Sequence, residues 1–174
     1  SEANLSALFW KGFRVDSYEV KDSDQLHIRL VPDPDVIPVC DGCDHGTHLV
    51  HDVHRRRVRE RNFGHYRVWL DVPVRRLRCP QCGPRRERID WLAGRRHLTR
   101  AMVEWAEALC RIAPLKQVGQ LLGLHWHTVR AVDHDRLQRD VPEPDRAGIR
   151  RLLMDEFALH KGHRYATVVL DADS

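Results

Sequence analysis

No stretch of the 174-residue chain approaches the roughly 18 consecutive apolar residues that a membrane-spanning helix needs. The opening, SEANLSALFWKGF, lacks a basic end followed by an apolar core and a small-residue cleavage site, so no secretory signal is read there and a soluble, cytoplasmic protein is expected. Lysine is missing from the middle of the chain. Between Arg55 and Arg100 there are 15 arginines and no lysine, which favours forked guanidinium contacts with phosphate and stacking on bases over point-charge contacts.

The total charge hides this concentration. The chain carries 29 basic against 25 acidic residues, a net +4, yet Arg55–Arg100 alone is +11 because only Glu60, Asp71, Glu87 and Asp90 oppose its arginines. The remainder is net −7. A solvated basic face is the plain reading of such a run; a nucleic-acid surface is the alternative if DNA-binding motifs flank it. With 42% apolar residues, the chain can hold one ordinary domain or two to three small ones.

Four of the five cysteines fall in two pairs, CDGC (Cys40, Cys43) and CPQC (Cys79, Cys82), the sequence form of a tetrahedral four-thiolate zinc site. Gly42 inside the first knuckle and Gly83 after the second suit the tight turns that aim backbone amides at thiolates. Iron fits the same cage, a redox pair is the other use of Cys-x-x-Cys, and His45, His48, His51 and His54 offer a replacement for one thiolate. Cys110, inside a helical pattern, reads as a small packed residue.

Between the knuckles, Tyr66, Val68, Leu70, Val72 and Val74 alternate with Arg67, Trp69, Asp71, Pro73 and Arg75, the period of a half-buried strand. Pro73 argues for an edge strand or the end of regular pairing. HLVHDVHRRRVRE is a weaker strand, RNFG a turn, and FRVDSYEV with LHIRLV an earlier hairpin leading through DPDVIP to the metal site. After the second knuckle the period becomes helical. Thr99 can cap a helix with apolar positions Met102, Trp105, Ala106, Leu109, Ile112 and Ala113, closed by Pro114.

LKQVGQLLGLHWHTVRAV, Leu115 to Val132, then has the form of a helix-turn-helix. Gly119 is the small residue where two helices cross, Gly123 the turn, and Val118, Leu122, Leu124, Val129 and Val132 the internal apolar set; an ordinary helical hairpin is the alternative. In the second helix His125, Trp126, His127, Thr128 and Arg130 fall near the start and point outward, with His134 one turn on. Arg130 suits a bidentate contact with guanine, Trp126 could instead pack on the first helix, and Arg55, Arg56 and Arg57 suit backbone phosphates.

The order of zinc knuckles, Arg-rich strands, helix-turn-helix and then DEFALHKGHRYATVVLD resembles the insertion-sequence transposases of the ISL-three type along nearly the whole chain. The resemblance implies double-stranded DNA at transposon ends as partner, DNA transposition as the process, and a DDE catalytic domain of RNase H fold opened by the strand that carries Asp155. Asp155 matches the first of three carboxylates that hold two Mg²⁺ or Mn²⁺ ions; Asp171 is a weaker candidate, and the other two belong to sequence this chain does not contain. Transposases commonly act as dimers, but no heptad pattern shows a homodimer here.

The expected fold class is therefore α+β. It comprises an N-terminal helix and β-hairpin segment over 1–38, a zinc ribbon over 39–92, a helix-turn-helix region over 93–140, and a short hairpin over 150–174 that begins a truncated RNase H-like domain, with DVPEPD as the linker. Two functions follow: a DNA-binding module or regulator that occupies transposon ends without cutting them, and an enzyme part active only with the missing half. A host transcription factor built on the same module is a third.

Overall fold

The computed structural model describes residues 6–94, 97–143, 147–160, 162 and 164–173. Arg95 and Arg96 of the basic module and residues 144 and 145 of the expected linker lie outside them, as do residues 1–5 of the N-terminal segment. The chain is mixed α+β and forms two compact units, residues 1–136 and 137–174.

The first unit begins with a single helical turn, α1 (Ser6–Phe9), and the hairpin β1 (Phe13–Lys21) and β2 (Gln25–Pro32). The first knuckle follows, then β3 (Val50–Arg59), β4 (Arg67–Cys79) and the short β5 (Gly83–Arg86). Both expected hairpins form, each antiparallel. The boundary expected at residue 38 is not a structural one, because β2 pairs in parallel with β4, Gln25–Arg29 against Arg67–Asp71. One five-stranded sheet results, in the order β1-β2-β4-β3 with β5 also on β4.

Strand β4 is thus central, which corrects the edge placement suggested by Pro73. The proline is tolerated because of where it falls: pairing with β2 ends at Asp71, pairing with β5 begins at Arg76, and Pro73 lies in the gap between them. Backbone N–H groups two residues apart point to the same side of a strand. The N–H groups of Arg67, toward Asp24 (2.8 Å), and Arg75, toward the Glu87 carboxylate (2.8 Å), mark the side on which Pro73 has no donor to offer.

Val68, Leu70 and Val72 of β4, Val58 of β3 and Ile28 and Leu30 of β2 form one apolar face, covered by Trp10, Phe13 and Leu92. Helix α2 (Arg100–Cys110) follows, capped as expected by Thr99, whose hydroxyl accepts from the Met102 N–H at 3.1 Å. It stops at Cys110, before Pro114; the proline instead sits at the N-cap of α3 (Leu115–Leu122). Helix α4 runs from Trp126 to Asp140, its last residues lying in the second unit. Leu98, Met102, Ala106, Val118, Leu122, Val129 and Val132 form the second core.

In the second unit, β6 (Leu152–His160) and β7 (Arg164–Asp171) pair as an antiparallel hairpin. Neighbouring residues Leu152, Leu153 and Met154 are all exposed, so both faces of the hairpin are uncovered in this chain.

Candidate metal centre and nucleic-acid interface

The two knuckles converge because β4 ends at Cys79 and turns through Gly83, in the left-handed region at φ +70°, into β5. Strand β5 in turn holds the first knuckle: the Asp41 N–H donates to the Arg86 carbonyl at 3.0 Å, and the Arg88 N–H to that of Val39 at 2.8 Å. The sulfurs of Cys40, Cys43, Cys79 and Cys82 lie within 4.8 Å of one another, none in a disulfide. Tetrahedral zinc with Zn–S bonds of about 2.3 Å requires sulfur separations of roughly 3.8 Å, so the cluster fits such an ion after small adjustments. The Gly42 N–H already points at the Cys40 sulfur at 3.4 Å.

The four thiols are not equivalent. Burial raises the Cys79 thiol, but hydrogen bonds from the Cys82 and Gln81 backbone, together with those from the Cys43 and Cys40 thiols, bring the group down to about 7. Among the described residues these four cysteines are the only group of three or more potential ligands gathered at one point, and none of the nearby histidines joins it. His51 and His54 lie beside Asp52 instead, at 3.8 and 3.3 Å. Cys110 packs against the helical core.

The crossing of α3 and α4 depends on two glycines. A Cβ on Gly119 would come within 2.9 Å of the Leu124 carbonyl oxygen, and Gly123 ends α3 at φ +64°. Val129 and Val132 are buried on the inner side of α4, and Arg130 is exposed. The helix start is an aromatic stack: Trp126 and His127 rings lie 3.7 Å apart, and His125 stacks on His127 at 5.2 Å. The His127 N–H donates to His125 Nδ1 at 3.3 Å, so the histidine acts as a cap as well as an exposed ring. Thr128 is half-buried, and Trp126, at 45% exposure, is not sequestered against α3.

The three consecutive arginines of β3 do not share a face, because successive strand residues alternate. Arg56 donates to the Gly94 carbonyl at 2.9 Å, whereas Arg55 pairs with Asp71 at 2.8 Å. Arg55 and Arg56 both border a groove beside β5, while Arg57 lines a different depression with His27, Arg29 and Trp69.

Sequence reasoning passed over Arg59, which looks like one more member of the basic run. It is 1% exposed. Its guanidinium donates to the carbonyls of Glu60, Val68 (3.1 Å) and Leu122 (2.8 Å) and to Asn62 Oδ1 (2.6 Å), and lies 5.6 Å from the centre of the Trp69 ring. Burial, with Arg67 nearby, pushes it down to about 10. Leu122 ends α3, so a cation from the sheet closes the carbonyl end of the first helix of the motif. Glu60, 4% exposed, is the complementary joint: it accepts from Trp10 Nε1 and from the Thr99 hydroxyl, both at 3.1 Å. The cysteine-bearing sheet and the helices are therefore one structural unit across the boundary expected at residue 92.

The expected catalytic aspartates are not brought together. Asp155 stands opposite Val168 and Asp171 opposite Leu152, three residues apart along the hairpin and hence on opposite faces. Asp155 Oδ1 accepts from the adjacent Glu156 N–H at 2.9 Å.

A sheet carrying four convergent thiols, locked to a helix-turn-helix, defines the class: a helix-turn-helix protein with a cysteine cluster. Residues 87–137 match the helix-turn-helix domain of transposase family ISL3. The chain is 42% identical over 165 residues, 93% of its length, to the transposase for insertion sequence element IS1001 of Bordetella parapertussis. It is 30% identical over 165 residues, 88% of its length, to the transposase for IS1557 of Mycobacterium tuberculosis, in strains CDC 1551 and H37Rv. It spans 40% and 35% of the length of those relatives. These matches support an ISL3-family insertion-sequence transposase, to whose helix-turn-helix domain residues 87–137 correspond. No solved structure matches it, and no helix among the described residues is long and apolar enough to cross a membrane.

Proposed function

We propose that this chain is the zinc-containing, sequence-specific DNA-binding portion of a transposase, recognising transposon-end duplexes at the nucleoid. The observation that carries the reading is the division of α4, with Val129 and Val132 buried and Arg130 exposed directly between them in sequence. That geometry suits a recognition helix presenting His125, Trp126, His127, Thr128 and Arg130 to the major groove. Zinc is the ion that best fits four thiolates, and Arg55, Arg56 and Arg57 supply phosphate contacts that fix register. The expected result is that Arg130→Ala weakens the preferred duplex by about 1–3 kcal/mol while leaving random duplexes nearly untouched. Selection from random duplexes followed by binding titrations checks it; an equal loss on every sequence would remove Arg130 from base reading.

Whether the chain also cuts DNA turns on the second unit. Its hairpin, apolar on both uncovered faces, suits the opening of a larger sheet of RNase H type, with Asp155 the first of three catalytic carboxylates. One aspartate cannot hold two Mg²⁺ or Mn²⁺ ions, and Asp155 and Asp171 face apart. These 174 residues are therefore expected to bind transposon-end duplexes in Mg²⁺ or Mn²⁺ without nicking them, and Asp155→Asn to leave binding unchanged. Metal-dependent cleavage lost in Asp155→Asn would make the chain an enzyme by itself. Activity on complementation, or through a homodimer, would support the reading as an enzyme part.

A further inference from the structure

The apolar face of the sheet does not end at its cover. On β3 and β4 it continues past Val58 and Val72 to Arg56, His54, Val74 and Arg76, because these positions keep the same strand parity. There it opens into a groove of about 950 Å³, completed by Arg55, Arg85 and Arg86. His97, two residues before the cap of α2, lines it as well.

The charges in this groove are poorly matched from within. Arg75 is neutralised by Glu87 at 2.6 Å and Arg55 by Asp71 at 2.8 Å. Arg76 and Arg86 are direct cross-strand partners, an arrangement of like charges that destabilises a sheet unless an anion lies between them. The Asp52 carboxylate approaches Arg76 only to 3.8 Å, and among the described residues on the lining the one acid is Asp41. Arg85 and Arg86 are exposed on β5. Burial, and then the nearby Arg86, hold the Arg56 guanidinium below its ordinary range.

We propose that this groove is a second DNA contact, seating the sugar-phosphate backbone on Arg56, Arg76, Arg85 and Arg86, apart from the base-reading surface of α4. The proposal rests on the DNA-binding reading and assigns the sheet's share of it. Phosphates are the anions that suit several guanidinium forks spread along an open channel, and duplex DNA presents them in series. Because β5 is tied to the first knuckle through Asp41 and Arg88, the groove's far wall is set by the cysteine cluster.

The test is the salt dependence of binding by the full chain to a pool of random-sequence duplexes. Arg85→Ala/Arg86→Ala is expected to lower the slope of log K against log salt by about 2 and to weaken all duplexes alike, with the base preference of the selected site intact. Arg29→Ala, which removes an exposed charge from the other depression, is expected to leave the slope within error. Both variants alter exposed side chains, and their melting curves and metal content verify the fold. An unchanged slope in Arg85→Ala/Arg86→Ala overturns the groove while leaving DNA binding through α4 standing. A drop of about 1 in Arg29→Ala overturns it too, since net charge alone would then account for the effect. A loss confined to single-stranded RNA would reassign the surface, and a wild-type chain that binds no duplex would fail the functional reading itself.

Discussion

Replacing Cys79 with serine is expected to strip the bound metal and unfold the sheet. Structural zinc contributes on the order of 10 kcal/mol or more of apparent folding free energy. That is comparable with the whole stability of a typical domain, about 5–15 kcal/mol, so losing a ligand outweighs the short β4–β5 ladder and the backbone bonds of Asp41 and Arg88. The same outcome should follow from a strong chelator added to the wild-type chain. Elemental analysis should find one zinc per wild-type chain and substoichiometric metal in Cys79→Ser. Cys110→Ser, altering a thiol packed against the helical core, should retain the metal. A Cys79→Ser variant with full metal content and an unshifted melting curve would reject the four-thiolate site.

Arg59→Ala should be the most damaging substitution away from the cysteines, at about 3 kcal/mol. The variant leaves the Val68 and Leu122 carbonyls and the Asn62 side chain without their donor and opens a cavity beneath Trp69. Arg59→Lys should recover less than half of the loss, because one ammonium group cannot reach acceptors spread around a planar fork. Urea denaturation followed by tryptophan fluorescence measures the effect. A midpoint shift equivalent to less than about 0.5 kcal/mol would mean that the guanidinium is not the joint between sheet and helices.

Features fixed by neighbours in sequence were legible in advance. Thr99 caps α2 through a bond that spans three residues, Gly123 supplies a backbone angle other residues resist, and the two knuckles bring their own turns. The helix-turn-helix was readable for the same reason, since Gly119 and the paired valines lie within one short stretch. The parallel pairing of β2 with β4 was not readable, because no local pattern names a partner some forty residues away. Of the two readings Pro73 allowed, the edge strand fails and the end of regular pairing holds on one side, where β2 stops at Asp71 and β5 begins at Arg76. Among the arginines of β3, composition suggested one basic surface. Strand parity and the position of α3, both tertiary facts, divide Arg56 from Arg57 and bury Arg59 altogether.

The central place of β4 also sets an order in time. Strands β1, β2 and β3 precede it in the chain, and β2 and β3 find their common partner only when residues 67–79 are available. Sheets closed by such distant pairings fold slowly and leave strand edges open while they wait. Cys79 and Cys82 lie at and just beyond the end of that same strand, so all four ligands exist only once residue 82 has been made, the point at which β4 too is complete. The same stretch of chain thus supplies the sheet's central strand and half of the metal ligands, and metal-starved synthesis is expected to leave more chains with open, aggregation-prone edges.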